Sequence, residues 1–324
     1  MTVHRTIPPY RSYCRPSRSW SACCFIALAF LLAVLPLRAT ISFTLEQPTD
    51  TLVGATRTVI ARHEDTLPGI ARANGLGFQE IKLANPDVDT WLPGQGTEIV
   101  LPTWYVLPEP PHIGLVLNIP EMRLYYFPAP ETGQVITHPI GIGRQGWTTP
   151  YINTRIIEKK NRPYWHPPES IRREHAEQGE PLPKRVPPGP DNPLGEYALR
   201  LGLPEYLIHG TNKPYGIGMR VSHGCIRLYP ENIESLYQQV ALGAPVRIIN
   251  QPYKVGRRGD KLYLEAHPYL EEDAAQFQGS LTGVVKSLIK ITGENGYEID
   301  WKLAQSVIDK RDGIPVEIGK LVEN

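Results

Sequence analysis

Beyond position 24 the 324-residue chain holds a single cysteine, Cys225, in the run Ser222-His223-Gly224-Cys225-Ile226-Arg227-Leu228. A second histidine, His209, lies 16 positions upstream in Ile208-His209-Gly210-Thr211. A free thiol is only a few per cent ionised at neutral pH, and the thiolate is the attacking form. An imidazole within hydrogen-bond reach can take the thiol proton and later deliver one to a leaving amine. Two imidazoles compete for that role. In an extended segment His223 shares a face with Cys225, two positions on. His209 sits at a strand end, and the glycine-rich Gly216-Ile217-Gly218 lets the chain double back to it. His209 is taken as the base, with His223 supporting the pocket. Gly224 permits close backbone approach, so the amides of Gly224 and Cys225 are expected to form an oxyanion hole. Catalytic metal chemistry is the competing reading, with zinc held by His209, His223 and Cys225 and water as fourth ligand. No HExxH pair or further cysteine supports it.

The start of the chain explains why this thiol matters. Residues 1–39 carry five arginines and no acid, and the apolar run Ala22–Leu35 precedes small residues near Arg38-Ala39. That is the pattern of an export signal, cut or kept as an N-terminal anchor, and the run is short for a membrane span. Cys14, Cys23 and Cys24 fall inside it. Cys225 is then an unpaired thiol in a protein exported from the cytoplasm, which calls for a chemical role. Formal charge is +1 with the signal and mildly acidic without it, so no basic field argues for nucleic acid. An anionic substrate would have to be held by local groups. Arg220, Arg227, Asn212, Thr211 and Ser222 are the candidates around the thiol.

Elements must position these residues. Hydrophobic residues make up 41% and charged residues 21%, which supports a packed core. Proline, at 33 residues, is about twice its usual share, which favours a turn-rich, mainly β fold. Residues 57–103 read as a small βααβ unit: a strand at Thr58-Val59-Ile60, a helix capped by Asp65, a second at Phe78–Ala84 stopped by Asn85-Pro86, and a strand at Thr97–Leu101. Residues 112–250 read as the catalytic domain. Its strands are expected at Ile113–Ile119, Met122–Phe127, Val135–Ile142, Tyr151–Lys159, Ala198–Leu201, Tyr206–His209 and Val246–Ile249. Pro230 opens a helix whose buried stripe is Ile233, Leu236, Tyr237 and Val240. The proline-rich insertion Asn161–Asn192 is read as a stiff lid with a helical turn at Ser170–Glu177. Residues 251–324 form a C-terminal α/β extension: a strand at Lys261–Glu265, helices near Glu272–Thr292 and Trp301–Lys310, and no chemistry.

The run around Cys225 resembles the L,D-transpeptidases with a YkuD-type catalytic domain, most closely the ErfK/YbiS/YcfS/YnhG branch. The resemblance rests on Ile208-His209-Gly210-Thr211, Gly216-Ile217-Gly218-Met219-Arg220 and Ser222-His223-Gly224-Cys225-Ile226-Arg227-Leu228. It extends to Pro188-Gly189-Pro190-Asp191-Asn192-Pro193 and Asn118-Ile119-Pro120-Glu121-Met122-Arg123-Leu124-Tyr125. The 57–103 unit resembles a LysM module through His63-Glu64-Asp65-Thr66-Leu67, Asn85-Pro86 and Trp91-Leu92-Pro93-Gly94, departing at His63-Glu64. The resemblance implies a β-sandwich or barrel with Cys225 as nucleophile and His209 as proton carrier. It further implies attack on a peptidoglycan stem tetrapeptide between its diamino acid and D-alanine, and a thioester resolved by an amine. That amine belongs to another stem or to an outer-membrane lipoprotein. A LysM module implies glycan binding. The chemistry needs no cofactor. The rivals are hydrolysis of the thioester on the same fold, and a wall-binding protein with no catalysis.

Overall fold

A computed structural model describes residues 41–277, 281–293 and 296–322. The expected export segment, residues 1–39, lies outside the described residues. The fold is mainly β, built on one curled sheet. Its strands run in the order Ser42–Thr44, Gln134–Pro139, Arg123–Phe127, Gly114–Asn118, Pro245–Ile249, Ile152–Asn161, Tyr197–Leu201, Leu207–His209 and Ile226–Arg227. Neighbours are antiparallel except Gly114–Asn118 beside Pro245–Ile249, and Leu207–His209 beside Ile226–Arg227. The last strand comes round to Gly141, just past the second strand in that order. Gly141 and Arg227 exchange backbone hydrogen bonds of 2.8 and 2.9 Å. The result is a half-barrel. The expected strand Val135–Ile142 breaks at the Pro139 end so that Ile142–Gly143 can pair with Arg220–Ser222 instead.

Alternation along each strand decides what the sheet buries. Leu115, Leu117 and Leu124 face Ile156, Leu199, Ile208 and Ile226 in the main core. Val116, Tyr125 and Phe127 face the other way, onto Val53, Tyr105 and Leu107. Strands covered on both faces carry continuous apolar runs, as Gly114–Asn118 does. The helix Pro230–Gln239 closes the core with Ile233 and Leu236, Val240 following as a buried cap.

The 57–103 unit has the expected βααβ order and its own core of Leu67, Ile70, Leu76, Ile81, Ile99 and Leu101. Arg57–Ile60 pairs antiparallel with Glu98–Leu101. The first helix, Leu67–Ala73, is capped by Thr66, whose hydroxyl accepts from the Gly69 amide at 3.1 Å, and not by Asp65. Asp65 accepts instead from the Arg62 amide at 2.8 Å, closing the preceding turn. Asn85 ends the second helix by bonding Ile81 and exchanging two 2.8 Å bonds with Val100 of the neighbouring strand.

This unit is docked on the sheet through buried charge. Arg123 is fully buried, and its Nε donates to Glu80 Oε1 at 2.7 Å. Its other nitrogens reach Thr137 Oγ1 and the Gly75 carbonyl, both at 3.1 Å. The guanidinium lies 4.3 Å from the Tyr105 ring centroid. The start of the second helix also bonds the segment between the two candidate catalytic residues. Phe78 N–H donates to Ile217 O at 3.0 Å and Gln79 N–H to Gly218 O at 3.2 Å. A Cβ on Gly218 would fall 2.3 Å from the Phe78 nitrogen, so only glycine permits this approach.

The C-terminal region is a four-stranded antiparallel sheet in the order Tyr253–Arg258, Lys261–Ala266, Val316–Val322, Gly296–Ile299. Helices Thr282–Thr292 and Trp301–Lys310 pack on it. The single helix expected near Glu272–Thr292 is a turn at Glu271–Asp273, a short helix at Ala274–Phe277 and the longer Thr282–Thr292. Strand Tyr253–Arg258 escaped sequence reading because its Lys254 is buried. The Lys254 ammonium lies 2.9 Å from Glu121 and 2.7 Å from Glu265, and donates to the Val106 carbonyl at 2.7 Å.

Removing one member of a buried ion pair leaves the other charged and unpaired, at a cost of about 3–5 kcal/mol. Glu80→Ala is therefore expected to lower unfolding stability by about that amount, read from urea denaturation.

Candidate active site

The parallel pairing of Leu207–His209 with Ile226–Arg227 builds the site. In that register Ile208 lies opposite Ile226 and His209 opposite Arg227. Ile208 and Ile226 point into the hydrocarbon core. Alternation then sends Leu207, His209 and Arg227 to the other face, and Cys225 precedes Ile226 on that side. All four line one groove of about 510 Å³, together with Ser222 and His223. The opposite wall is the proline-rich insertion, through Tyr164, Trp165, His166 and Ile171. Its helix runs Glu169–Glu177, where the helical turn was expected. Trp165 and Val186 exchange backbone bonds, and the buried Asn192 side chain donates to the Pro163 and Pro187 carbonyls at 2.8 and 3.1 Å. One asparagine thus ties both legs of the insertion.

Cys225 is free and half-buried. Its Sγ–H donates to the Glu205 carbonyl at 3.4 Å. Glu205 sits in the left-handed region, φ 68°, which aims that carbonyl at the thiol. Burial pushes the thiol above its ordinary pKa, and the Leu207 amide and the Arg227 guanidinium draw it back down. His209 is buried, and its Nδ1 is 2.6 Å from the Gly210 carbonyl. A carbonyl only accepts, so Nδ1 carries the proton and Nε2 keeps its lone pair. Desolvation, with Arg227 adding to it, lowers the His209 pKa to about 3, against the pull of the Gly210 and Leu194 carbonyls. His209 is a neutral imidazole with its lone pair on Nε2.

His223 is engaged elsewhere. Its Nε2 is 2.9 Å from Glu174 of the insertion helix and 3.1 Å from Arg144, and Trp147 stands edge-on to it with centroids 4.9 Å apart. Burial lowers its pKa, with Glu174 opposing. Gly224 adopts φ 99°, and a Cβ there would come 3.1 Å from the Tyr206 ring. Its amide is not available to an oxyanion as expected, because it donates to Ser222 Oγ at 3.1 Å. The Cys225 amide is the remaining member of that pair. Ser222 Oγ also donates to the Cys225 carbonyl at 2.6 Å, so this hydroxyl shapes the turn that presents the thiol.

Of the expected substrate contacts, Arg227 and Ser222 line the groove, whereas Arg220, Asn212 and Thr211 do not. Arg220 is neutralised by Glu272 in two contacts of 3.1 and 2.6 Å. Thr211 is buried and accepts from the Lys213 amide at 2.9 Å, and Asn212 donates to Pro190 O at 3.1 Å. Both hold loops. Arg227 differs: its Nε is buried without a hydrogen-bond partner, and desolvation lowers its pKa. The zinc reading loses its geometry. Among the described residues the ligand atoms that converge within 4.8 Å are those of Glu121, Glu265 and His267, with the Lys254 ammonium bound to both carboxylates. His209, His223 and Cys225 form no such cluster. Glu174, Arg144, Trp147 and Glu205 were missed in the sequence, where nothing in local spacing marks them.

A family model described as the L,D-transpeptidase catalytic domain, YkuD, matches residues 113–248. The chain is 42% identical over 282 residues to "Probable L,D-transpeptidase YbiS" of Escherichia coli, covering 84% of this chain and 90% of that protein. It is 39% identical over 299 residues to "Probable L,D-transpeptidase ErfK/SrfK" of Salmonella typhimurium, covering 89% and 94%. With "Probable L,D-transpeptidase YcfS" of Escherichia coli the identity is 37% over 300 residues, covering 91% and 93%. Among solved structures, the Ldtfm-avibactam carbamoyl enzyme is similar at 20% identity and a TM-score of 0.34, over 47% of this chain and 55% of that one. Likeness to the first three proteins runs nearly end to end and includes the strands that bring Cys225 and His209 to one groove, so this chain is an enzyme of the L,D-transpeptidase family.

Proposed function

We propose that the protein is an exported, periplasmic L,D-transpeptidase of peptidoglycan in which Cys225 is the nucleophile and His209 the proton carrier. The observation that supports this most is the shared groove: a free thiol, a neutral imidazole protonated on Nδ1, and an arginine whose buried Nε has no hydrogen-bond partner line one cleft. The substrate is a stem tetrapeptide, attacked at the carbonyl between its diamino acid and D-alanine. The Cys225 proton passes to His209 Nε2 as sulfur bonds to that carbonyl carbon. The C–N bond then breaks, His209 returns the proton to the departing D-alanine amine, and a thioester remains. An acceptor amine attacks the thioester, gives its proton to His209, and sulfur leaves as thiolate to be reprotonated. Arg227 holds a substrate carboxylate beside the sulfur.

The charge states dictate when the proton moves. A raised thiol and an imidazole lowered to about 3 make the resting pair neutral, not a thiolate–imidazolium pair. Proton transfer therefore accompanies attack. Acceptor amines come from a second stem, giving a 3→3 cross-link, or from a lipoprotein lysine. Residues 57–103 are proposed to hold glycan as a LysM-like module. Support comes from the βααβ order and from Trp91 and Leu92, exposed on a loop whose amides both donate to Asp89 Oδ1 at 2.8 Å.

Two outcomes test the reading. Incubated with purified muropeptides and analysed by mass spectrometry, the protein is expected to give cross-linked dimers with loss of D-alanine, and Cys225→Ala is expected to give none. Shortened stems without dimers would assign hydrolysis instead. In the free protein, alkylation of Cys225 by iodoacetamide is expected to keep rising with pH beyond the ordinary thiol range. Arg227→Gln removes a group that draws the thiol pKa down, so it shifts this profile to still higher pH.

A further inference from the structure

The contact between the insertion and the groove floor has a chemistry of its own. Arg144 and His223 stand side by side, 3.1 Å apart, and both grip one carboxylate, that of Glu174. Both donors, the Arg144 guanidinium and the His223 imidazole, are tied to the turn that carries the thiol. The Arg144 amide donates to the Ser222 carbonyl at 3.0 Å, and the Trp147 amide closes a turn back onto Arg144 at 2.9 Å. Trp147 also walls His223 on its open side. Glu174 arrives from the other direction, on the Glu169–Glu177 helix of the insertion. His223 and Trp147 line the groove that holds Cys225.

We propose that Arg144, reaching the groove through its contact with the groove-lining His223, forms with it a carboxylate subsite at the groove's edge, filled in the substrate-free protein by Glu174 and taken over by a carboxylate of the bound stem peptide. The inference rests on a stem peptide being the substrate. A guanidinium and an imidazole N–H presenting donors to two oxygens of one carboxylate is a specific anion geometry. It is also cheap to vacate. The Glu174 side chain is 24% exposed and that of Arg144 39%, so the contact resembles a weak surface ion pair. A stem peptide carries more than one carboxylate, and Arg227, whose buried Nε has no hydrogen-bond partner, accounts for one of them. The Arg144–His223 pair receives another on the His223 side of the sulfur. Exchange replaces one carboxylate by another at the same donors, so no charge is left unpaired in the groove, and Glu174 returns to water with the insertion helix.

The test uses the full-length protein and two thiol reagents that differ only in charge, bromoacetyl-D-alanine and bromoacetyl-D-alanine amide. The rate at Cys225 is followed for each by intact-mass spectrometry, and the ratio of acid to amide is the readout. Glu174→Gln is expected to raise that ratio about five-fold, the factor set by losing a competing contact of that strength. Arg144→Gln is expected to change the ratio little in the wild-type background and to abolish the gain in the Glu174→Gln background. An unchanged ratio in Glu174→Gln would overturn the proposal. So would an equal effect of Arg144→Gln in both backgrounds, which would mark a general field and not a site. The amide rate reports in every variant that the thiol and fold are intact. Alkylation needs no acyl transfer, so failure on muropeptides would sink the transpeptidase reading and leave this result standing.

Discussion

Desolvation of the Cys225–His209 pair is the constraint from which the site's chemistry follows. An imidazole lowered to about 3 stays neutral at neutral pH, protonated on Nδ1 alone, and burial makes the thiol resist losing its own proton. A thiolate–imidazolium pair would stabilise itself by mutual attraction, but in this groove Arg227 disfavours the imidazolium while favouring the thiolate. In the proposed reaction the arginine therefore helps sulfur ionise only as the proton departs. Burial on this scale comes from placing the histidine on a strand whose next residue back, Ile208, lies in the core.

Strand register then makes the arrangement stiff. A one-residue slip of Ile226–Arg227 against Leu207–His209 would drive Arg227 into hydrocarbon and turn Ile226 to the groove. Two bonds guard against it: Arg227 is locked to Gly141 on its other side, and Leu228 donates to the His209 carbonyl at 2.9 Å. The turn ahead of the sulfur is fixed by Ser222, whose hydroxyl both accepts from Gly224 and donates to Cys225. Such a turn needs the left-handed Gly224, because a Cβ there meets Tyr206.

How much of this was legible in the sequence depends on range. The runs Ile208-His209 and Ile226-Arg227-Leu228 alternate apolar with polar residues, so their strands and the grouping of thiol and imidazole could be read locally. Helices Phe78–Ala84 and Trp301–Lys310 carry local start and stop signals and lie where expected. Adjacent capping residues were harder: Asp65 and Thr66 both favour a helix start, and only the closing turn at Arg62 decides between them. Contacts distant in sequence left no trace. Arg220 reads as a free cation until Glu272, 52 positions on, neutralises it. Glu174 meets His223 across 49 positions, and nothing in a charged helix singles it out. Lys254 reads as surface, and it becomes a core residue only because Glu121, from the turn before Arg123–Phe127, and Glu265, from strand Lys261–Ala266, both reach its ammonium.

The docked N-terminal unit adds a mechanical consequence. Its second helix holds the backbone of Ile217 and Gly218, in the segment that carries the chain from His209 round to Cys225. That segment is rich in glycine, which gives it the freedom to double back and also a high entropic cost of being held in one path. Helix N-termini present amides without intrahelical partners, and two of those amides, from Phe78 and Gln79, bind the loop carbonyls. Arg123 and Glu80 clamp the same helix to the sheet from below. The loop between His209 and Cys225 is thus ordered by a unit outside the main sheet. Through these contacts the 57–103 unit helps to shape the site.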